Sequence, residues 1–200
     1  MKRIVLVFVA VFLMAAVGYA QSAREVLDKC AAAISSPDGV QASFRMNSTQ
    51  YGNAAGTVCV KGKMFYASTA DVKMWFDGKT LWTYVAKNDE VNVSNPTEAQ
   101  LQALNPYNFI NLYKDGYTPT MTTGAGSYMI HLKATNSQRK IQELDVTVNS
   151  RSYLPTEVKM KQGTKESTFV VSDLKQVKLG DATFRFDKSA YPDAEIIDLR

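Results

Sequence analysis

From Val40 to Asn47 apolar and polar side chains alternate, Val40, Ala42, Phe44 and Met46 against Gln41, Ser43, Arg45 and Asn47. A period of two is what a half-buried strand requires, because successive side chains point to opposite faces. Similar segments predict further strands at 55–61, 64–68, 72–76, 80–85, 90–93, 117–123, 127–134, 141–149, 155–161 and 168–174. Turn residues separate them, among them Gly62-Lys63, Asn88-Asp89, Gly124-Ala125-Gly126 and Gln162-Gly163. Two stretches carry the helical period instead. Ser22 to Ser35 places Val26, Leu27, Cys30 and Ile34 on one side, with Ser22 and Glu25 spaced as a capping box and Pro37-Asp38-Gly39 as the stop. In mid-chain, Asn95-Pro96-Thr97-Glu98 reads as a helix start, with Glu98 placed to cap. That helix carries Leu101 and Leu104, and a second one spans 107–114 with Phe109, Ile110, Leu112 and Tyr113. A strand-like piece at 182–186 and a tail through Ile196 and Ile197 complete the chain.

The hairpin at 72–85 departs from simple alternation. Asp77-Gly78 predicts a two-residue type I′ turn. The arms hold both tryptophans, and neither face is plainly polar: Val72, Met74 and Phe76 share one face, Lys73 and Trp75 the other, and Leu81, Thr83 and Val85 alternate with Thr80, Trp82 and Tyr84. A ribbon apolar on both faces must be covered on both, by protein or by an apolar ligand.

The order is therefore helix, six strands, helical insertion, then about five strands. Short connections make neighbours antiparallel, and a sheet this long curls. The expected fold is mainly β, a strongly curved antiparallel sheet forming an incomplete barrel of about eleven strands, with an N-terminal helix and a mid-chain helical lid. One helix and one short insertion are thin filling for its inner face, which predicts an apolar cavity.

Residues 1–20 read as a cleaved signal peptide: basic Lys2 and Arg3, an apolar run from Ile4 to Val17, then Gly18-Tyr19-Ala20. Residues 21–200 then form a single domain whose first residue is Gln21. With no cysteine at that position the product is expected to be soluble and not lipid-anchored, in the periplasm. The formal charge of +4 is modest, and no segment gathers enough Lys or Arg for nucleic acid. The exported cysteines, Cys30 and Cys59, could pair as a disulfide or stay as buried thiols.

Catalytic chemistry finds little support. The single histidine, His131, lies in an alternating strand and reads as structural; one His and two scattered Cys make no zinc site. No nucleophile elbow or glycine-rich phosphate loop occurs, so neither an enzyme nor a metal or other cofactor is expected. Met46, Met64, Met74, Met121, Met129 and Met160 all fall in predicted strands; methionine fills cores, and it also suits a pocket that adapts to a flexible apolar ligand.

Gln41-Ala42-Ser43-Phe44 after the first helix, Phe76-Asp77-Gly78-Lys79-Thr80-Leu81-Trp82-Thr83-Tyr84, the helical insertion and Ala182-Thr183-Phe184-Arg185-Phe186 resemble, in order, the periplasmic outer-membrane lipoprotein carriers of the LolA family. The resemblance covers 21–200, and the 77–84 run is its most specific part. It implies a monomeric carrier that takes acylated lipoproteins from an inner-membrane ABC transporter to an outer-membrane acceptor. A lipid- or protein-binding periplasmic sensor or scaffold on the same fold is the alternative. The expected acyl-chain lining is Phe44, Met46, Met74, Trp75, Trp82, Phe109 and Leu112. The family also has a Lys-Arg-Pro turn whose arginine latches the lid. Here the matching positions are Lys61-Gly62-Lys63, and Lys63 lacks arginine's planar five-donor fork.

Overall fold

The computed structural model describes residues 21–98, 100–101 and 113–200. The expected signal segment and most of the expected helical insertion, with Phe109 and Leu112, lie outside the described residues.

Helix α1 spans Ala23–Ile34, and both halves of its capping box form. Ser22 Oγ accepts from the Glu25 N–H at 3.2 Å, and Glu25 Oε2 accepts from the Ser22 N–H at 2.9 Å. The strands are β1 (Val40–Ser48), β2 (Gly52–Lys61), β3 (Met64–Thr69), β4 (Val72–Phe76), β5 (Leu81–Val85), β6 (Glu90–Ser94), β7 (Tyr117–Gly124), β8 (Ser127–Ala134), β9 (Glu143–Asn149), β10 (Pro155–Gln162), β11 (Lys165–Gln176) and β12 (Glu195–Asp198). They form one open, curved sheet in the order β12-β6-β5-β4-β3-β2-β1-β11-β10-β9-β8-β7, an incomplete barrel. Every pair is antiparallel except β12 with β6.

Local expectations fail in three places. The β4–β5 turn is not centred on Asp77-Gly78: Phe76 and Leu81 are the last ladder partners, and the Asp77 N–H reaches the Thr80 carbonyl oxygen at 3.3 Å across Gly78-Lys79. Only Gly78 there takes positive φ, at 99°, and Asp77 Oδ1 accepts from the backbone N–H groups of Lys79 and Thr80. Aspartate has closed the loop through its side chain rather than by adopting the left-handed backbone. Residues 182–186 are not a strand; Asp181–Phe184 is a 3-10 helix packed against β3 and β4, with Phe184 fully buried. The cap of the mid-chain helix is Thr97 with Gln100, not Asn95 with Glu98, for Gln100 Oε1 accepts from both the N–H and the hydroxyl of Thr97. Asn95 instead accepts from the Thr80 hydroxyl at 3.2 Å. Of the two alternatives for the cysteines the second holds: Cys30 and Cys59 are free and buried. Cys30 packs with the inner cluster described below, whereas Cys59 pairs with Tyr66 and Tyr66 with Trp75, a row on the opposite face of the sheet. The sheet itself stands between the two thiols.

Cross-strand partners share a face, so register separates the two sides. Ala42, Val58, Ala67 and Met74 form one row, and Gln41, Cys59, Tyr66, Trp75 and Trp82 a row of the other. Through Met46–Phe169, Phe169–Val158 and Val158–Val146 the first row belongs to the face that carries α1. This is the inner face. Over β7–β10, α1 seals it: Val26, Leu27, Cys30 and Ile34 pack with Ile130, Leu132, Leu144, Val146, Val148 and Val158, all at 2% exposure or less.

Candidate functional site

Beyond the reach of α1 the inner face stays apolar but is less completely covered. Across β1–β5 it has a buried floor of Val40, Ala42, Val58, Val60, Phe65, Phe76 and Leu81, against which the half-buried Phe44, Met74, Leu101, Val171 and Leu174 pack. Met46 and Phe169 continue the row, also half-buried. Phe44 and Phe169 lie 6.5 Å apart at 53°. The Phe44 ring is supported from below by Gly56: a Cβ there would sit 3.3 Å from Phe44 Cε1 and 1.9 Å from the Ser68 carbonyl oxygen. A β-bulge on β11 at Asp173-Leu174, with Asp173 at φ 53°, brings Leu174 against both apolar clusters and joins them.

Three of the seven expected lining residues, Phe44, Met46 and Met74, share this face. Trp75 and Trp82 do not. Trp75, 7% exposed, meets Phe186 and Tyr191 edge-on at 5.5 and 5.8 Å, and Tyr84 packs on Tyr191 at 4.7 Å. Trp82 packs beside Val91, Val93 and Ala194. On the outer face, then, the chain's own C-terminal segment covers the hairpin. Lys73 Nζ holds that segment through the Tyr191 hydroxyl at 2.9 Å, a bond that raises the lysine's pKa. Sequence reasoning missed Phe169, Val171 and Leu174 as partners of Phe44. Their alternation was visible, but pairing between the first and eleventh strands has no local mark.

The remaining polar candidates lie elsewhere. His131 Nδ1 is 2.7 Å from Asp145 Oδ1 on the outer face. The pair sits in an open groove of about 300 Å³ with Thr120, Thr122, Glu157 and Lys159. Lys63 is exposed at the β2–β3 turn, without a hydrogen bond or ion pair among the described residues. Among those residues no group of His, Cys, Asp and Glu could hold a metal, and no helix is long and apolar enough to cross a membrane.

The family model described as outer membrane lipoprotein carrier protein LolA matches residues 13–164. The chain belongs to the LolA family. An uncharacterized conserved protein of Thermus thermophilus has a similar structure, with a TM-score of 0.58 at 12% identity over 88% of this chain and 98% of that one. A LolA superfamily protein of Nitrosomonas europaea gives 0.46 at 13% identity, over 84% and 99%. MucB in the Pseudomonas aeruginosa MucA/MucB complex gives 0.44 at 11%, over 82% and 61%. No curated protein matches the sequence.

Within this LolA-family fold both ends of the mid-chain insertion are tied down. At its start Asn95 bonds Thr80. At its end Tyr113, 2% exposed, donates to Asp28 Oδ1 of α1 at 2.5 Å, and Arg24 reaches the Tyr113 carbonyl oxygen at 3.5 Å. Burial, reinforced by Asp28, pushes the Tyr113 hydroxyl far above the ordinary tyrosine range. The inner face offers an apolar ligand dispersion and desolvation.

Proposed function

We propose that the chain is a periplasmic carrier that holds the acyl chains of lipoproteins against the inner face of β1–β5 and β11 and moves them from the inner to the outer membrane. The observation that supports this is the division of the inner face. One half is sealed by α1, while the other keeps Phe44, Met46, Met74, Phe169 and Val171 half-buried. Phe109 and Leu112 of the insertion complete the proposed lining. A chain of about sixteen carbons resists entering water by roughly 13 kcal/mol, at about 0.8 kcal/mol per CH₂. A half-open apolar wall turns that barrier into exchange between two apolar environments, where small affinity differences set direction. By family, the donor is an inner-membrane ABC transporter and the recipient an outer-membrane acceptor. The role is carriage, not catalysis, by a monomer exported after removal of residues 1–20. Without the family's arginine, Lys63 would restrain the insertion only as a point charge.

A photo-crosslinking residue at Met74, on the inner face, is expected to capture acylated proteins in cells. The same residue at Arg45, exposed on the outer face, is expected to capture none. Equal capture at both sites, or capture of free lipid alone at Met74, would overturn the carrier reading.

A further inference from the structure

Tyr153 occupies the left-handed region, φ 57°, in the turn between β9 and β10, a conformation that costs energy for a residue with a Cβ. Its ring stacks on Tyr128 at 6.2 Å and 19°. Lys29 Nζ lies 4.9 Å from the ring centroid and donates to the phenol oxygen at 3.4 Å. The phenol hydroxyl in turn donates to Oε1 of Gln21 at 3.3 Å. A strained tyrosine thus holds, with a lysine behind it, the side-chain carbonyl of the residue expected to follow the signal cut.

An N-terminal glutamine carries its own nucleophile, since its α-amine can close a five-membered ring on its side-chain Cδ. We infer that Gln21 of the exported chain becomes pyroglutamate, with Tyr153 and Lys29 assisting. The amine nitrogen attacks Cδ, and negative charge gathers on Oε1, where the Tyr153 hydroxyl already donates and the Lys29 ammonium strengthens that donor. Collapse restores the carbonyl, breaks the Cδ–Nε2 bond and expels ammonia, which takes the proton the amine gives up. One C–N bond forms, one breaks, and no oxidant or cofactor is needed. Oε1 survives as the lactam oxygen, still an acceptor. The terminal positive charge is lost with the ring closure. This modification rests on the export reading alone and is independent of acyl binding.

The test is mass spectrometry of the N-terminal peptide from full-length chains exported in cells, wild type beside Tyr153→Phe and Lys29→Met. Phenylalanine keeps the stack on Tyr128, and equal melting temperatures confirm the fold. The wild-type peptide is expected to start at residue 21 and be lighter by one ammonia. Tyr153→Phe should slow ring closure on the order of tenfold, as for loss of one solvent-accessible donor, and Lys29→Met by less. A free glutamine terminus in the wild type, or equal ring closure in all three proteins, overturns the inference and leaves export intact. A chain still carrying residues 1–20 overturns the export reading as well.

Discussion

Gly56 shows how one missing methyl shapes the inner face. Its φ is ordinary, so backbone freedom is not the reason for glycine. The reason is the Ser68 carbonyl, 1.9 Å from where a Cβ would stand, a main-chain atom that cannot rotate away. Gly56→Ala should therefore part β2 from β3 and tilt Phe44, costing about 2–3 kcal/mol and lowering the midpoint of thermal unfolding by roughly 5–10 °C. Calorimetry checks this; an unchanged midpoint would mean the strands absorb the methyl. Cys30 gives a second prediction at this scale. Burial raises its thiol from 9.0 to about 12. The unfolded chain then ionises first as pH rises, so stability is full below about 9 and falls between 9 and 12. The slope from this group is about 1.4 kcal/mol per pH unit. Cys59 and Tyr113 add to the decline in the same direction. Urea titrations at pH 8 to 10.5 should show a shallower loss for Cys30→Ala than for wild type, whatever the cavity costs at pH 8. An identical slope would mean that the thiol does not ionise on unfolding in that range.

Elements whose signals are local were legible: the capping box of α1, the alternation of β1, the glycine turn that leads into β8. Where a residue's role depended on distant chain, reading failed. Asp77-Gly78 is a local misreading: it carries the mark of a tight turn, yet the turn centres one residue later because Asp77 bonds two N–H groups with its side chain. Phe184 and Phe186 look like one face of a strand, yet Phe184 is buried in a 3-10 turn on β3 and β4, and Phe186, just beyond that turn, meets Trp75 edge-on. Strand β7 illustrates an element read correctly without its consequence. It ends the sheet, and the Thr135 N–H to Gly116 O bond sets the parity of its pairing with β8. By that parity Thr118 and Thr120 bond β8 and Pro119 faces the open edge. The proline thus removes a donor only where another strand could add, without costing a ladder bond. Pro119→Thr should leave stability within about 0.5 kcal/mol and promote self-association. Sedimentation velocity over a concentration series tests it; a variant that stays as dispersed as wild type would show that the edge is guarded by something else.

At the scale of the whole molecule, one continuous wall is sealed over β7–β10 and less covered over β1–β5, because α1 packs only on the first part. The curved, open sheet was legible from strand count and turn spacing. Which tryptophan face meets the C-terminal segment was not, since that follows from a strap folding back more than a hundred residues later. On the proposed carrier reading, this division makes stability and binding separable by position. Val146, fully buried beneath α1, contributes to the sealed half, and Val146→Ala should cost about 2 kcal/mol of stability through its cavity. Acyl-probe affinity should be unchanged, because the unsealed half is untouched. Met74, half-buried on the same face, reverses the pattern. Met74→Glu can leave its charge partly solvated in the empty protein, so the fold should lose under about 1 kcal/mol. A bound hydrocarbon would strip that solvation, and affinity should fall tenfold or more. Fluorescent fatty-acid titrations beside melting curves for the two variants read both quantities. If Met74→Glu lost fold and binding in proportion, Met74 would be ordinary core and the unsealed half only a looser part of the same interior. If Val146→Ala weakened the probe as much as Met74→Glu, the ligand would lie under α1, and the helix rather than the mid-chain insertion would have to move to admit it.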